Sequence, residues 1–158
     1  MESVGALADS KQETMVEAND ISAAALLAGT PHTIGPMVNV YNEGTLDYLA
    51  VRGAVSVCLP VELGKTALAA LASHANTSNA DVRVALEVMV FGRLPLAISA
   101  RCYHARAHKL HKDSCQFVCD RDPNGMEVGT LDNEPFVAVN GVQTMSHAYT
   151  NLGSAVPK

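Results

Sequence analysis

Apolar positions along this chain fall into short runs that alternate with helical faces. TMVEAND (14–20) reads as a short strand ending in polar residues, and ISAAALLAG (21–29) as a helix capped by Asp20 or Asn19 and stopped by Gly29. HTIGPMVNVY (32–41) is strand-like, although Gly35-Pro36 must bend or bulge it. NEGTLDYLAVRG (42–53) is a helix with Leu46, Leu49 and Ala50 on one face and Gly53 at its end. AVSVCLPVEL (54–63) is a buried strand cut short at Pro60, and GKTALAALASHAN (64–76) a helix with Leu68, Leu71 and Ala72 at helical spacing. VRVALEVMVFG (82–92) is a fourth, valine-rich strand. Strands that alternate with helices indicate βαβ units and a parallel sheet, and their nearly continuous apolar character fits a sheet covered by helices. The fold class expected is therefore α/β, with about four βα units.

Polar residues gather where these strands end: Glu17, Asn19 and Asp20, then Asn39 and Asn42, then Glu62, then Arg93. Sites in α/β sheets and barrels form at such carboxyl ends, whereas caps and turns place the same residue types there for structural reasons. After Gly92 the rhythm changes. Leu96, Ala100, Tyr103, Ala107 and Leu110 recur at intervals of four, three, four and three, which predicts one face of a helix packed on the sheet. DSCQFVC is a turn or short helix, DPNGM a turn, and EVGT-LDNE-PFVAVN a β-hairpin turning at Asp132-Asn133. Residues 1–13 are small and polar and read as poorly ordered, so residues 14–158 form the expected domain, with the cysteine region at 93–125.

Composition narrows the function. A net charge of −5 with no basic tract does not support a nucleic-acid surface. The longest apolar stretch, around Val82 to Phe91, is interrupted by Arg83 and Glu87 and is too short to span a membrane. The N-terminus lacks the basic start and apolar core of a secretory signal, which makes the cytoplasm the default location. Cysteines stay reduced there, so clustered thiols point to metal or redox chemistry before disulfides.

Three of the four cysteines lie in one short run, RCYHARAHKLHKDSCQFVC (101–119). Twelve residues separate Cys102 from Cys115, and three separate Cys115 from Cys119. Three converging thiolates make three-quarters of a tetrahedral zinc site or of a four-iron cluster. Arg101, Arg106, Lys109 and Lys112 favour the thiolate form. The plainer reading is that each cysteine is a small core residue. Cys58, inside an apolar strand, reads first as core and second as a fourth ligand. His104 and His108 share a helix face and offer further ligand atoms, but exposed helix-face histidines are the more common case. No G-x-S-x-G, H-E-x-x-H or Gly-rich phosphate loop occurs.

VEAND, IGPMVNVYN, CLPVEL, VMVFGRLPLAISARCYHARAHKLHKDSCQFVC, DPNGM and PFVAVNGVQTMS, in that order, resemble the central part of a ubiquinone-biosynthesis branch of the collagenase-like peptidase family. The resemblance runs from about Met15 to Leu152, and its most specific piece is GRLPLAISARC followed by KDSCQFVC. It implies an incomplete, TIM-like (β/α) barrel and a four-cysteine [4Fe-4S] cluster, with Cys102, Cys115 and Cys119 matching three ligands. The fourth family cysteine lies upstream of where this chain begins, leaving Cys58 as a substitute and zinc as an alternative metal. The branch also implies a heterodimer with a UbiU-like partner, a ubiquinone-precursor lipid as substrate, and ring hydroxylation without O₂. Two other readings stand beside it: a non-catalytic fragment with a structural metal site, and a peptidase of the wider family. Because a complete (β/α)₈ barrel takes about 250 residues, the resemblance implies the middle part of a longer protein.

Overall fold

A computed structural model describes residues 14–77 and 83–155. The N-terminal stretch expected to be poorly ordered, and Val82 at the start of the fourth expected strand, lie outside the described residues. The chain divides into two compact units, Met1–Met89 and Val90–Lys158.

The first unit is a parallel sheet of four strands in the order β1-β2-β3-β4, alternating with helices. Its elements are β1 (Glu17–Ala18), α1 (Ile21–Leu26), β2 (His32–Ile34), α2 (Glu43–Ala50), β3 (Ala54–Cys58), α3 (Lys65–Thr77) and β4 (Ala85–Glu87). This is the partial βα architecture expected from the sequence. Asp20 caps α1 by accepting from the Ser22 amide at 2.8 Å, and Asn42 caps α2 by accepting from the Thr45 amide at 2.9 Å. Both side chains satisfy amides that the first helical turn leaves without a partner. The expected strand over 32–41, bent at Gly35-Pro36, is shorter: β2 ends at Ile34, and Pro36–Val38 turns as a 3₁₀ helix.

The core of this unit is the apolar face the pattern marked out. Leu46, Leu49 and Ala50 of α2 and Leu71 of α3 are buried with Ile34, Val57 and Leu59 from the sheet side, and Leu68 packs against them. Burying each such leucine contributes about 1.5–3 kcal/mol. Gly53, between α2 and β3, has φ +102°, and a Cβ there would stand 2.7 Å from the Thr30 carbonyl oxygen.

The second unit departs from expectation. Its elements are β5 (Phe91–Ile98), α4 (Tyr103–Ala107), β6 (Met126–Gly129), β7 (Pro135–Asn140) and β8 (Gln143–Asn151), with the strands in an antiparallel sheet ordered β5-β8-β7-β6. The sequence placed 82–92 in one strand and a helix face over 96–110. Instead β4 ends at Glu87, and residues 91–98 form a strand paired with β8. The 4-3-4-3 spacing was fortuitous. Pro95 disfavours a helix interior, and the partner strand lies about fifty residues downstream, where local periodicity carries no information. Register shifts flank Pro95, so the strand accommodates the missing amide donor as an irregularity.

The helix that remains is one short segment, and it buries His104 and Ala105 while Tyr103 is exposed. The hairpin β6–β7 is present as expected, with Asn133 left-handed at φ 63°. A second hairpin, β7–β8, turns at Gly141-Val142 with Gly141 at φ 58°. Among the described residues no helix is long and apolar enough to cross a membrane.

The close approach at Gly53 generates a test. Gly53→Ala should destabilise the protein by more than about 1 kcal/mol in urea denaturation, because its Cβ meets backbone that cannot yield. Gly29→Ala, also at positive φ (+83°) but with nothing within 4 Å of the new Cβ, should cost less. Equal losses would show that backbone strain alone, and not the contact with Thr30, sets the cost.

Candidate functional site

The three clustered cysteines all fall in the second unit, and each is half-buried. Cys102 is the N-cap of α4, its Sγ accepting from the Ala105 amide at 3.3 Å. Cys115 ends a short 3₁₀ turn (Lys112–Ser114), and Cys119 lies inside another (Val118–Arg121). Helix α4 packs against the turn that holds Cys119. Two stretches of chain separated by residues 108–117 are thereby brought side by side.

Between Cys115 and Cys119 the backbone is forced. Gln116 (φ 53°) and Phe117 (φ 52°) are consecutive left-handed residues, and Lys109 (φ 59°) is another nearby. Each non-glycine residue in that region costs on the order of 1–2 kcal/mol. Phe117 lies 73% exposed, so its side chain gains little burial in exchange. The strain keeps the two thiols on a tight return of chain, and such outliers concentrate at binding sites.

A cleft of about 570 Å³ opens beside Cys102, its walls including Arg101, Arg106, Lys109, His111 and Lys112, with Asp113 as the one acid. Lys112 Nζ donates to the Ala100 carbonyl at 3.0 Å and closes the segment on itself. Arg101, Arg106 and Lys109 form no ion pair among the described residues. Such a cluster of positive charge attracts anions to the cleft.

His104 and His108 are not the exposed pair expected of a helix face. His104 is completely buried, with Nδ1 3.3 Å from the Val139 carbonyl and Nε2 2.9 Å from Asp122 Oδ2. His108 stacks on it, ring centroids 5.5 Å apart. Asp122 went unnoticed in the sequence because nothing local links it to a helix eighteen residues earlier. The only available signal was the i, i+4 histidine spacing. Among the described residues, one group of His, Cys, Asp or Glu brings three ligand atoms within 4.8 Å of one another, and it is His104, His108 and Asp122.

In the first unit, Cys58 closes β3 opposite Glu87 of β4. It is half-buried, not the core residue its apolar strand suggested. Burial, and then the nearby Glu87 and Glu17 carboxylates, push its thiol pKa above the ordinary value. These surroundings favour the thiol over the thiolate, the reverse of what a metal ligand needs. Glu87, at the carboxyl end of β4, also accepts from Ser56 Oγ, and Glu17, which opens β1, accepts from Asn19 Nδ2, so both acids are engaged. Asp20 and Asn42 serve as helix caps. Glu62 is reached by the Tyr41 hydroxyl at 3.5 Å. Arg93, expected at a parallel strand end, instead lies in antiparallel β5, where its guanidinium donates to the Ser146 and His147 carbonyls and sits 4.5 Å from the Tyr149 ring centroid.

A family model described as Peptidase family U32 matches residues 9–149. No solved structure matches the chain.

The environment of Cys58 predicts its reactivity. Alkylation by iodoacetamide, followed against pH, should show a midpoint above that of free cysteine, since only the thiolate reacts. Glu87→Gln should bring it part of the way down, because burial, the larger cause, remains. A midpoint at or below the free-cysteine value would contradict this account of the site.

Proposed function

The chain belongs to peptidase family U32, and within that family we propose that it is an iron–sulfur protein of the UbiV type. In this reading it is a component of oxygen-independent hydroxylation in ubiquinone biosynthesis and works with a UbiU-like partner on a ubiquinone-precursor lipid. The observation that carries the proposal is the packing of α4 against the turn at Val118–Arg121, which brings the segments that hold Cys102 and Cys119 side by side in one compact unit, although among the described residues the three Sγ atoms do not all lie within 4.8 Å of one another.

The donor set fits a [4Fe-4S] cluster at three corners. Thiolate sulfur is the ligand such clusters take. All three side chains retain solvent access, and the cationic cleft beside Cys102 offsets the negative charge that three thiolates bring. A cluster bound by Cys102, Cys115 and Cys119 supplies one-electron chemistry. The chain itself contributes the ligands, a strained turn that spaces two of them, and arginine and lysine side chains that hold anionic charge. The fourth cysteine, Cys58, sits among carboxylates that disfavour its thiolate, so we assign the cluster three protein ligands from this chain.

Peptide hydrolysis through a covalent intermediate, one form of the activity in the family's name, requires a nucleophile beside a base. Among the described residues the histidine rings bond to carbonyls and carboxylates, and to no serine, threonine or cysteine side chain. Cluster chemistry is therefore the better-supported reading.

Anaerobic reconstitution with iron and sulfide tests it. The wild-type chain, alone and with a UbiU-like partner, should turn brown and bind iron and acid-labile sulfide. Cys102→Ser, Cys115→Ser and Cys119→Ser should each lose most of that iron, while Cys58→Ser keeps it. Serine is itself a good N-cap, so the loss at position 102 reports a missing ligand and not a damaged helix. Equal iron in wild type and a Cys115→Ala/Cys119→Ala chain, or colourless protein carrying one zinc, would overturn the proposal.

A further inference from the structure

His104, His108 and Asp122 play no part in the cluster reading, yet they bring three potential ligand atoms together. His104 Nδ1 lies 3.3 Å from the Val139 carbonyl oxygen, and its Nε2 lies 2.9 Å from Asp122 Oδ2. Both ring nitrogens thus face oxygens that accept hydrogen bonds.

A hydrogen bond between His104 Nε2 and Asp122 would account for that pair alone. His108 adds a third atom that this hydrogen bond does not serve. Its Nε2 lies 3.8 Å from the same Oδ2, beyond hydrogen-bond range. Its ring stacks on that of His104 with an interplanar angle of 15°. One ligand atom from each of the three residues lies within 4.8 Å of the other two.

We propose that His104, His108 and Asp122 bind a divalent transition metal of the zinc class, at a site separate from the cysteines. Two imidazoles and one carboxylate are a zinc donor set, with the fourth position left to water. Bonds of about 2.0–2.2 Å to one tetrahedral ion hold such ligands about 3.3 Å apart. The two separations to Asp122, 2.9 and 3.8 Å, bracket that value, and the ligand atoms of the two imidazoles lie within 4.8 Å of each other. The Val139 carbonyl is the outer partner that fixes the tautomer and orientation of a ligating histidine. His108 and Asp122 are 31% and 36% exposed, which gives the ion an entry path that buried His104 lacks. The bound ion clips α4, whose cap is Cys102, to the residue three positions after Cys119.

The test separates this site from the thiols. A Cys102→Ser/Cys115→Ser/Cys119→Ser chain is titrated with cobalt(II) and then zinc. It should bind one cobalt per chain, show ligand-field bands with no sulfur-to-cobalt charge-transfer band, and release the cobalt to zinc. His108→Gln in that background should weaken binding at least about 100-fold, the upper end of what losing even an outer partner costs. Asp122→Asn should weaken it at least about tenfold. No cobalt bound, a sulfur charge-transfer band, or unchanged affinity after His108→Gln would overturn the site and leave a plain hydrogen bond between His104 and Asp122. Should the triple-serine chain not fold, wild type and His108→Gln give the same reading, because the variant must bind one cobalt fewer. Iron reconstitution is a separate measurement, so failure of either reading leaves the other standing.

Discussion

The second unit depends on one buried imidazole. His104 reaches from α4 to the backbone of β7 on one side and to Asp122 on the other. Few large apolar side chains are available to do that work. Its buried apolar residues are Ala105, Val118, Ala138 and Val139, while Phe91, Leu96, Ile98, Phe117, Leu131 and Phe136 remain exposed. Where burial is thin, a satisfied polar network fixes geometry more sharply than apolar contact does, because an unmet buried group is costly. The same bond sets where the N-cap of α4 stands relative to the turn after Cys115. Structural order and candidate chemistry thus share a single side chain.

Around that anchor the chain accepts local cost. Lys109, Gln116 and Phe117 adopt left-handed backbone although none is glycine or asparagine, and cations crowd the cleft beside Cys102. A sequence selected for stability alone would put glycine at such positions and spread its positive charge. Binding of the proposed cluster would offset both. The first unit shows the opposite economy, with capped helices, leucines packed beneath a parallel sheet, and acids hydrogen-bonded at the strand ends.

The first unit was largely legible in the sequence, since its signals are local. Asp20 caps the helix where the pattern placed it, and Leu46, Leu49 and Leu71 form the face their spacing announced. The second unit was legible only at the β6–β7 hairpin, where turn residues sit between short runs. Strand β8 carries no clean alternation because neither of its faces is fully buried, and β5 took on the spacing of a helix. Both strands owe their form to each other, across a separation no window spans.

For the site, residue identity came from the sequence and arrangement from the fold. The spacing of Cys102, Cys115 and Cys119, the cations between them, and the resemblance to the collagenase-like family were all readable along the chain, because each is a property of neighbours or of a string. Asp122 beside His104, the burial of that histidine and the half-exposure of Cys58 were not. Those were decided by which backbone passes which, and a side chain acquires its solvent, its partners and its charge state only when distant segments close around it.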